Sequence, residues 1–330
     1  MRCTNNSFRI STCIVTISML GSIVTGCSNR EIDMAYNYKM PVSSYTVTDT
    51  SDAETAESFA SDLCVTASDV IDGTDVDLTD TATGALFDLN HNSVLYAKNI
   101  HEKLYPASLT KVMTALVVLK YGKLEDTINV TDSVNITESG AQLCGLSEGD
   151  TITVDQALHA LLINSANDAA VALAEHIGGS VEGFAEMMNQ EALSIGATNS
   201  HFVNPHGLSD DNHYVTAYDM YLIFNEAVKY ERFTQIIQMT AYETVYHDRD
   251  GADKELSFQT TNQYLQGVFS PPANVTVIGG KTGTTNAAGN CLIIYSKDTS
   301  GNPYISVILR SKEREILYGQ MTDILSEIGN

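Results

Sequence analysis

The segment Pro106–Leu116, "PASLTKVMTAL", places a serine and a lysine three residues apart at the start of an apolar run. Apolar side chains fill nearly every position from there to Leu119, which predicts a helix buried on all sides. On such a helix Ser108 and Lys111 share one face and lie within reach of each other. A fold that contains this segment must therefore accommodate a lysine beside a serine on an almost entirely apolar helix.

This serine–lysine pair has two interpretations. Burial lowers the pKa of a lysine, and a neutral amine beside a hydroxyl is the arrangement that base-assisted nucleophilic attack requires. Ser108 would also lie where N–H groups at a helix N-terminus point toward an incoming anionic oxygen. The alternative is a serine N-cap followed by a lysine whose ammonium group reaches solvent. Ser108 and Lys111 alone do not decide between the two.

The order of elements indicates the fold class. "TGALFDL" and "SVLYAKN" predict a hairpin, and "YISVILR" predicts a strand near the other end of the chain. The remaining elements are predicted as helices beginning at Ser108, Val154 (broken near Asn164–Asn167), Ser180 and Thr216 (running to about Tyr230), strands Val275–Ile278 and Cys291–Tyr295, and a last helix Glu313–Ile328. Strands at both ends with helices between them predict an α+β body with a helical insert.

Two further motifs carry polar groups. Ser165-Ala166-Asn167 interrupts an apolar helical run, and buried polar groups of this kind form either a structural network or a site. Lys281-Thr282-Gly283 follows a β segment and would offer a cation and a hydroxyl to a carboxylate, while its glycine permits close approach. Each motif is weak alone. Together with Ser108 and Lys111, in this order, they form the signature of penicillin-binding proteins and class A β-lactamases.

The sequence around these motifs resembles one group of penicillin-binding proteins more closely. The blocks "YPASLTKVMTAL", "LLINSANDAAVALAEHIGGS", "MMNQEALSIGATNSHFVNPHGL" and "GGKTGTTNAAGNCL" are similar to the low-molecular-mass penicillin-binding proteins that act as serine D-alanyl-D-alanine carboxypeptidases. The resemblance runs from about Thr81 to Leu317. It implies the penicillin-binding/β-lactamase-like transpeptidase fold, an antiparallel sheet flanked by helices with a helical subdomain. It also implies a peptidoglycan stem peptide ending in D-Ala-D-Ala as substrate, β-lactams as covalent inhibitors, and neither cofactor nor metal.

The resemblance assigns roles to three catalytic positions and a supporting role to Lys281, which it counts among the substrate-binding residues. Ser108 would be the nucleophile that forms an acyl-enzyme, and Lys111 would be its general base. Ser165 would pass a proton toward the leaving amine, with Lys281 supporting it electrostatically.

The resemblance also assigns binding roles. Asn167 would hydrogen-bond the substrate backbone, and Thr282 with Gly283 would hold the terminal carboxylate. The backbone N–H groups of Ser108 and Thr284 would form the oxyanion hole.

A basic partner for the substrate carboxylate outside the Lys-Thr-Gly motif is not obvious. Arg310, at the end of "YISVILR", and Lys312 are the candidates, and a solvated strand end is the alternative interpretation.

The N-terminus predicts export. Residues 1–26 combine Arg2 and Arg9 with an apolar stretch that is too short for a comfortable membrane span, and they end in Val24-Thr25-Gly26 before Cys27. This pattern resembles a bacterial lipobox, which implies a lipoprotein signal peptide and lipid on Cys27. The alternative is an ordinary export signal with an incidental cysteine. A lipid on Cys27 would anchor the protein to the outer face of the bacterial cell membrane.

Two more segments follow. Residues 27–80 are rich in Ser and Thr and strongly acidic, which predicts an extended tether. Residues 81–330 are predicted as the catalytic domain. Many relatives carry a C-terminal β-rich domain and an amphipathic helix beyond this point, whereas this sequence ends at Asn330. We therefore expect no C-terminal β domain and assign anchoring to Cys27.

Composition excludes several other classes. A formal net charge of -23 without a basic stripe argues against nucleic-acid binding. Cys64, Cys144 and Cys291 show neither zinc-site spacing nor a disulfide framework, and the latter two are expected as small apolar fillers. A zinc carboxypeptidase is disfavoured because the histidines at 201, 206 and 213 match no zinc-binding helix.

Two alternatives share the three motifs. A class A β-lactamase needs a glutamate in an ExxLN context, and the chain between Asn167 and Lys281 has none. A non-catalytic, penicillin-binding sensor lipoprotein would be indicated by loss of Ser108, Lys111 or Lys281, and all three are present.

Overall fold

Strands from both ends of the catalytic region meet in one sheet in the computed structural model, which describes residues 60–71, 76–78 and 83–329. The strands, in chain order, are β1 (Thr83–Asp88), β2 (Ser93–Lys98), β3 (Thr127–Asn129), β4 (Thr151–Thr153), β5 (Ala241–His247), β6 (Asp253–Gln259), β7 (Val275–Thr285), β8 (Gly289–Asp298) and β9 (Pro303–Ser311). The helices are α1 (Thr110–Tyr121), α2 (Val154–Leu162), α3 (Asn167–Gly178), α4 (Val181–Ser194), α5 (Ala217–Ala227), α6 (Glu231–Ile237) and α7 (Arg314–Ser326).

The main sheet has five antiparallel strands in the order β2-β1-β9-β8-β7. β9, from the C-terminal part, pairs with β1 and brings the predicted hairpin into register with the last strands. β7 occupies an edge, so one side of the strand that carries Lys281 and Thr282 has no strand partner in the described chain. The α+β fold with an antiparallel sheet flanked by helices is thereby confirmed.

Helix α1 forms the centre of the helical part. Every residue from Thr110 to Val118 is buried, as the almost unbroken apolar sequence predicts. The helix contacts α2, α3, α4, α5 and α6, so it is surrounded by other helices rather than packed on one face. Lys111, close to its N-terminal end, is therefore enclosed by the helical part of the core.

The long helical pattern after Val154 is broken where the sequence predicts. α2 begins with a complete capping box in which Thr153 and Gln156 each bond the other's backbone N–H. α2 ends at Leu162, and α3 begins at Asn167. The connection between them carries Ser165 with a φ of 63°, a left-handed conformation that favours glycine. The second motif therefore lies at a break between two buried helices.

One prediction for the following region differs from the structure. The helix that begins after Thr216 was expected to reach Tyr230, but α5 ends at Ala227 and the separate helix α6 follows. The chain turns here because Phe233 of α6 packs edge-on against Phe224 of α5, with ring centroids 5.4 Å apart. No Gly or Pro marks the turn in the sequence.

A second sheet was not anticipated. It has four strands in the order β3-β4-β5-β6, with β5 and β6 forming a hairpin that is in register from Ala241 to His247. Its turn contains Gly251 at a φ of 80°. The short strands β3 and β4 pair over three residues each and attach this hairpin next to α2.

Residues 60–71, which the sequence analysis assigned to the tether, pack on the body. Cys64 is fully buried, and its backbone N–H donates to Tyr221 Oη at 2.9 Å. Val70 pairs with Ala97 of β2 as an isolated bridge. The proposed signal peptide and Cys27 lie outside the described residues. Within the described part of the chain, no helix has both the length and the apolar character needed to cross a membrane.

Candidate active site

Ser108 lies in a single 3-10 turn, Ala107–Leu109, that leads directly into α1. Ala107 has a φ of 48°, so a residue with a side chain adopts a left-handed conformation immediately before the serine. The hydroxyl of Thr110 donates to the carbonyl of Ala107 at 2.9 Å and holds this turn closed. The turn therefore presents Ser108 at the wall of a cleft.

The segment from Val203 to His213 packs against the same turn and stabilises it. His213 Nδ1 accepts from the backbone N–H of Val203 at 3.2 Å, so its Nε2 carries the proton and donates to Thr110 Oγ1 at 2.8 Å. Gly207 has a φ of 87°, and a Cβ there would collide with Ala107 O. The "NPHGL" block therefore packs against the nucleophile turn with no room for a side chain at its glycine.

Lys111 is completely buried, and its ammonium group meets three oxygen atoms. Nζ lies 2.8 Å from Ser108 Oγ, 2.6 Å from Asn167 Oδ1 and 2.7 Å from the carbonyl oxygen of His206. A neutral amine has two N–H donors and one lone pair. Asn167 and His206 can accept both donors, which leaves the lone pair facing the hydroxyl of Ser108.

The electrostatic surroundings of Lys111 favour the neutral amine. Burial lowers the pKa of Lys111 well below its ordinary value, and the positive charge of Lys281 lowers it further. The carboxylate of Asp168 opposes these two effects but is the smallest of the three. The lowered pKa is consistent with the prediction from the sequence that Lys111 acts as a general base.

The second and third motifs meet at one hydrogen bond. Lys281 Nζ donates to Ser165 Oγ at 2.9 Å and to the carbonyl of Thr282 at 2.8 Å. Lys281 is buried, and burial lowers its pKa to about 7. Near neutral pH this residue can therefore hold or release a proton beside the hydroxyl of Ser165.

A buried carboxylate holds the loop beside Ser165. Asp168 accepts the backbone N–H groups of Cys144, Gly145 and Leu146 at 2.8 to 3.0 Å. The carbonyl of Gln142, just before that turn, accepts from the backbone N–H of Asn167 at 2.8 Å. The loop that lines one side of the cleft is therefore tied to the start of α3.

Strand β7 approaches the nucleophile turn backbone to backbone. A Cβ on Gly283 would lie 2.9 Å from the nitrogen of Ser108 and 3.1 Å from the nitrogen of Leu109. Only glycine fits this contact without displacing backbone atoms. The N–H groups on either side of the contact, at Ser108 and Thr284, therefore belong to two segments that touch. The side chain hydroxyl of Thr284 donates to Asn290 Oδ1 at 3.1 Å.

The cleft has a volume of about 630 Å³. It is bordered by side chains from all three motifs and by amide and hydroxyl groups, among them Ser108, Gln142, Asn164, Ser165, Gln259, Thr261, Gln263, Thr282, Asn290, Arg314 and Tyr318. The hydroxyl of Thr282 lies 2.6 Å from that of Thr261. The paired hydroxyls and the guanidinium group of Arg314 line the same cleft and are groups that suit a carboxylate.

Arg314 is a cation of the cleft that the sequence alone did not predict. It is the first residue of α7 and lines the cleft, whereas Arg310 lines a separate pocket and pairs with Glu102 at 3.5 Å. A bulge in the β8–β9 pairing at Arg310 and the turn before α7 separate the two arginines, and no sequence pattern announces either feature. The carbonyl of His206 is another contact without a sequence signal, because it belongs to the main chain.

The remaining sequence candidates have other surroundings. Cys64 and Cys291 are buried and Cys144 is partly buried; all three carry free thiols. The histidines at 201, 206 and 213 bond to backbone and hydroxyl groups, and no cluster of three metal-ligating side chains occurs among residues 60–71, 76–78 and 83–329.

The sequence matches a known peptidase family. Residues 45–313 match the peptidase S11 family, described as D-alanyl-D-alanine carboxypeptidase. D-alanyl-D-alanine carboxypeptidase DacF of Bacillus subtilis is 36% identical over 220 residues, 65% of this chain and 54% of that protein. DacC of Escherichia coli is 33% identical over 258 residues, 75% of this chain and 60% of that protein. The chain thus spans little more than half the length of these relatives.

A solved structure agrees with the sequence comparisons. The Streptomyces K15 DD-transpeptidase superposes with a TM-score of 0.69 at 26% identity, covering 75% of this chain and 96% of that one.

Proposed function

Because the chain belongs to the peptidase S11 family of D-alanyl-D-alanine carboxypeptidases, we propose that it removes the terminal D-alanine from peptidoglycan stem peptides through an acyl-enzyme on Ser108. The observation that carries this proposal is the 2.8 Å contact between Ser108 Oγ and a fully buried Lys111 Nζ. A lysine whose pKa is lowered by burial can take a hydroxyl proton near neutral pH.

Acylation begins with proton transfer from Ser108 Oγ to Lys111 Nζ. The oxygen then attacks the carbonyl carbon of the penultimate D-alanine. The negative charge that develops on the carbonyl oxygen is stabilised by the backbone N–H groups of Ser108 and Thr284. The close contact at Gly283 supports this pairing because it brings the two segments together.

The leaving amine needs a proton before the C–N bond breaks. Ser165 delivers it, and the serine is recharged by the proton that Lys111 received. The hydrogen bond from Lys281 to Ser165 at 2.9 Å supports this role because it fixes the orientation of the hydroxyl and favours proton transfer through it. D-alanine then leaves with the proton on its amine.

Substrate binding uses the exposed edge of β7. An extended peptide can lie along an unpaired strand edge, with its terminal carboxylate at Thr282 and Arg314. Asn167 would hydrogen-bond the peptide backbone through its Nδ2, because its Oδ1 already accepts from Lys111.

Deacylation returns the enzyme to its starting state. A water molecule gives a proton to Lys111 and attacks the ester carbonyl, and Ser108 Oγ regains its proton as the shortened peptide departs. A β-lactam would acylate Ser108 by the same first step, and slow hydrolysis of that ester would make it an inhibitor.

The test is release of D-alanine from a diacyl tripeptide that ends in D-Ala-D-Ala. We expect turnover by the purified protein and none by Ser108→Ala. A protein that is labelled by fluorescent penicillin but releases no D-alanine would instead be the non-catalytic sensor. Fast hydrolysis of penicillin without peptide turnover would indicate a β-lactamase.

The proposal places this activity outside the cytoplasm, with the chain anchored at the outer face of the cell membrane by lipid on Cys27. It is supported by the pattern of residues 1–27 alone. Labelled palmitate should be incorporated into the wild type and not into Cys27→Ala. Equal labelling of both proteins would exclude Cys27 as the acylated residue.

A further inference from the structure

A second, smaller pocket lies beside the turn between β7 and β8. Its volume is about 280 Å³, and its lining includes Lys103, Tyr105, Asp211, Tyr214, Ala287 and Arg310. None of these residues borders the catalytic cleft. We refer to this space as the side pocket.

The side pocket presents charges of both signs that are only loosely engaged. The ammonium group of Lys103 lies over the ring of Tyr214, 4.5 Å from its centroid. Asp211 accepts a hydrogen bond from Tyr105 Oη at 3.1 Å. Exposed contacts of this kind contribute little free energy, so a ligand that offers better partners can replace them at small cost.

Arg310 enters the side pocket from a strained backbone position. The register between β8 and β9 shifts between Asn290 and Leu292, which makes a bulge, and Arg310 there has a φ of 62°. Glycine is favoured at such a position, and a bulge re-aims the side chain that it carries. Its one ion pair, with Glu102 at 3.5 Å, is exposed. We take this strained backbone position as a sign that the arginine is placed for what its side chain can reach.

The side pocket also lies close to the proposed acylation site along two segments. Tyr105 lies three residues before Ser108, and Ala287 lies three residues after Thr284. Each of these connections spans at most about 11 Å even when fully extended. The residue that precedes the D-alanyl-D-alanine pair is one peptide unit, about 3.5 Å, from the acylated alanine. A lysine-length side chain on that residue is therefore long enough to extend from the acylation site toward Tyr105 and Ala287 at the wall of the side pocket.

We propose that the side pocket binds the tip of the side chain on the stem-peptide residue before D-Ala-D-Ala, and that this tip carries both an ammonium and a carboxylate group. The carboxylate would bind Arg310 and Lys103, and the ammonium would bind Asp211. This subsite rests on the proposed carboxypeptidase activity and specifies its substrate class. The balanced charge of the pocket argues against a purely cationic or purely anionic tip.

The experiment compares three acylated tripeptides that differ in the residue before D-Ala-D-Ala: meso-diaminopimelate with a zwitterionic tip, L-lysine with a cationic tip and Nε-acetyl-lysine with a neutral tip. We expect kcat/KM for D-alanine release to be at least about tenfold higher for the zwitterionic than for the neutral peptide, the scale of one charge-assisted hydrogen bond. Arg310→Gly should bring this ratio close to one, and Arg310→Lys should restore part of it. Lys123→Ala, an exposed lysine outside both cavities, should leave the ratio as in the wild type.

Equal kcat/KM for the three peptides in the wild type, or an unchanged ratio in Arg310→Gly, would overturn the subsite. A binding measurement separates its failure from that of the catalytic proposal. Calorimetric titration of Ser108→Ala with the same three peptides reports recognition without turnover. A preference for the zwitterionic peptide there supports the subsite even if the wild type releases no D-alanine, and equal affinities there contradict it.

Discussion

The catalytic cleft and the side pocket use lysine and arginine in opposite ways. In the cleft, Lys111 and Lys281 are fully buried and their pKa values are lowered. In the side pocket, Lys103 is exposed and 56% of the Arg310 side chain is accessible. Proton transfer needs an amine that burial has made easier to deprotonate, whereas recognition of a charged tip needs a cation that keeps its charge.

The largest expected effect comes from changing the base of the cleft while keeping its charge. Lys111→Arg replaces an amine that can lose its proton by a guanidinium group that cannot. We expect acylation by fluorescent penicillin to slow by about 10²- to 10⁴-fold, the usual contribution of a general base. Lys123→Arg, at an exposed position, is the matched control. Acylation at the wild-type rate in Lys111→Arg would exclude this residue as the base.

The cost of burying the second lysine should appear as a pH dependence of stability. The pKa of Lys281 falls from 10.5 to about 7 on folding, so between these values the unfolded chain binds a proton that the folded chain does not. Unfolding then becomes less favourable as pH rises. Lys281→Met removes this dependence.

Urea denaturation at several pH values measures the free energy of unfolding of both proteins. The advantage of Lys281→Met should be greatest below pH 7 and shrink above it by up to about 1.4 kcal/mol per pH unit. Parallel pH profiles for the variant and the wild type would contradict a lowered pKa at this position.

A backbone contact is expected to matter next. In Gly283→Ala the new Cβ would lie 2.9 Å from the nitrogen of Ser108, where only backbone atoms could move. We expect the free energy of unfolding to fall by about 1–3 kcal/mol, with slower acylation. Gly319→Ala is the control, because its Cβ would meet no atom within 4 Å in α7 and should stabilise the protein by about 0.5–1 kcal/mol. Acylation of Gly283→Ala at the wild-type rate would show that the close backbone contact at this glycine is not needed for the reaction.

The smallest effect tests the strain in the side pocket. Arg310→Gly should raise the free energy of unfolding by up to about 1 kcal/mol, because glycine adopts a φ of 62° without the steric cost of a side chain. Arg310→Ala removes the same charge but keeps the strain, so it should not be more stable than the wild type. Thermal unfolding of both variants distinguishes strain from charge. Equal stability of Gly and Ala at this position would mean that the backbone stores no strain.

The sequence predicted the frame of the fold and missed the elements that tertiary packing decides. The β1–β2 hairpin, helix α1 and the break before Asn167 follow from local patterns and are present. The separate helix α6 depends on Phe233 meeting Phe224, a contact that no local pattern announces. The β5–β6 hairpin did carry a signal, since Asp250-Gly251 lies between two segments of alternating polarity.

The candidate site was predicted in its side chains but not in its main chain. The motif spacing placed Ser108 near Lys111, and their contact of 2.8 Å follows from helix geometry. The carbonyl of His206 that also meets Lys111 could not be predicted, because every residue has a carbonyl and only the fold decides where it points. Arg314 was missed for a related reason. A turn of a few residues decides which arginine faces the cleft.

The three oxygen atoms around Lys111 have a consequence for reaction energetics. Asn167 Oδ1 and the His206 carbonyl are positioned to accept from Nζ whether the group is an amine or an ammonium ion. When the proton moves from Ser108 to Lys111, the two oxygen atoms that stabilise the new positive charge are already in place. No solvent shell has to rearrange around the lysine. The lysine therefore works with a small reorganisation energy, and the folding of the chain has met that cost before any substrate arrives.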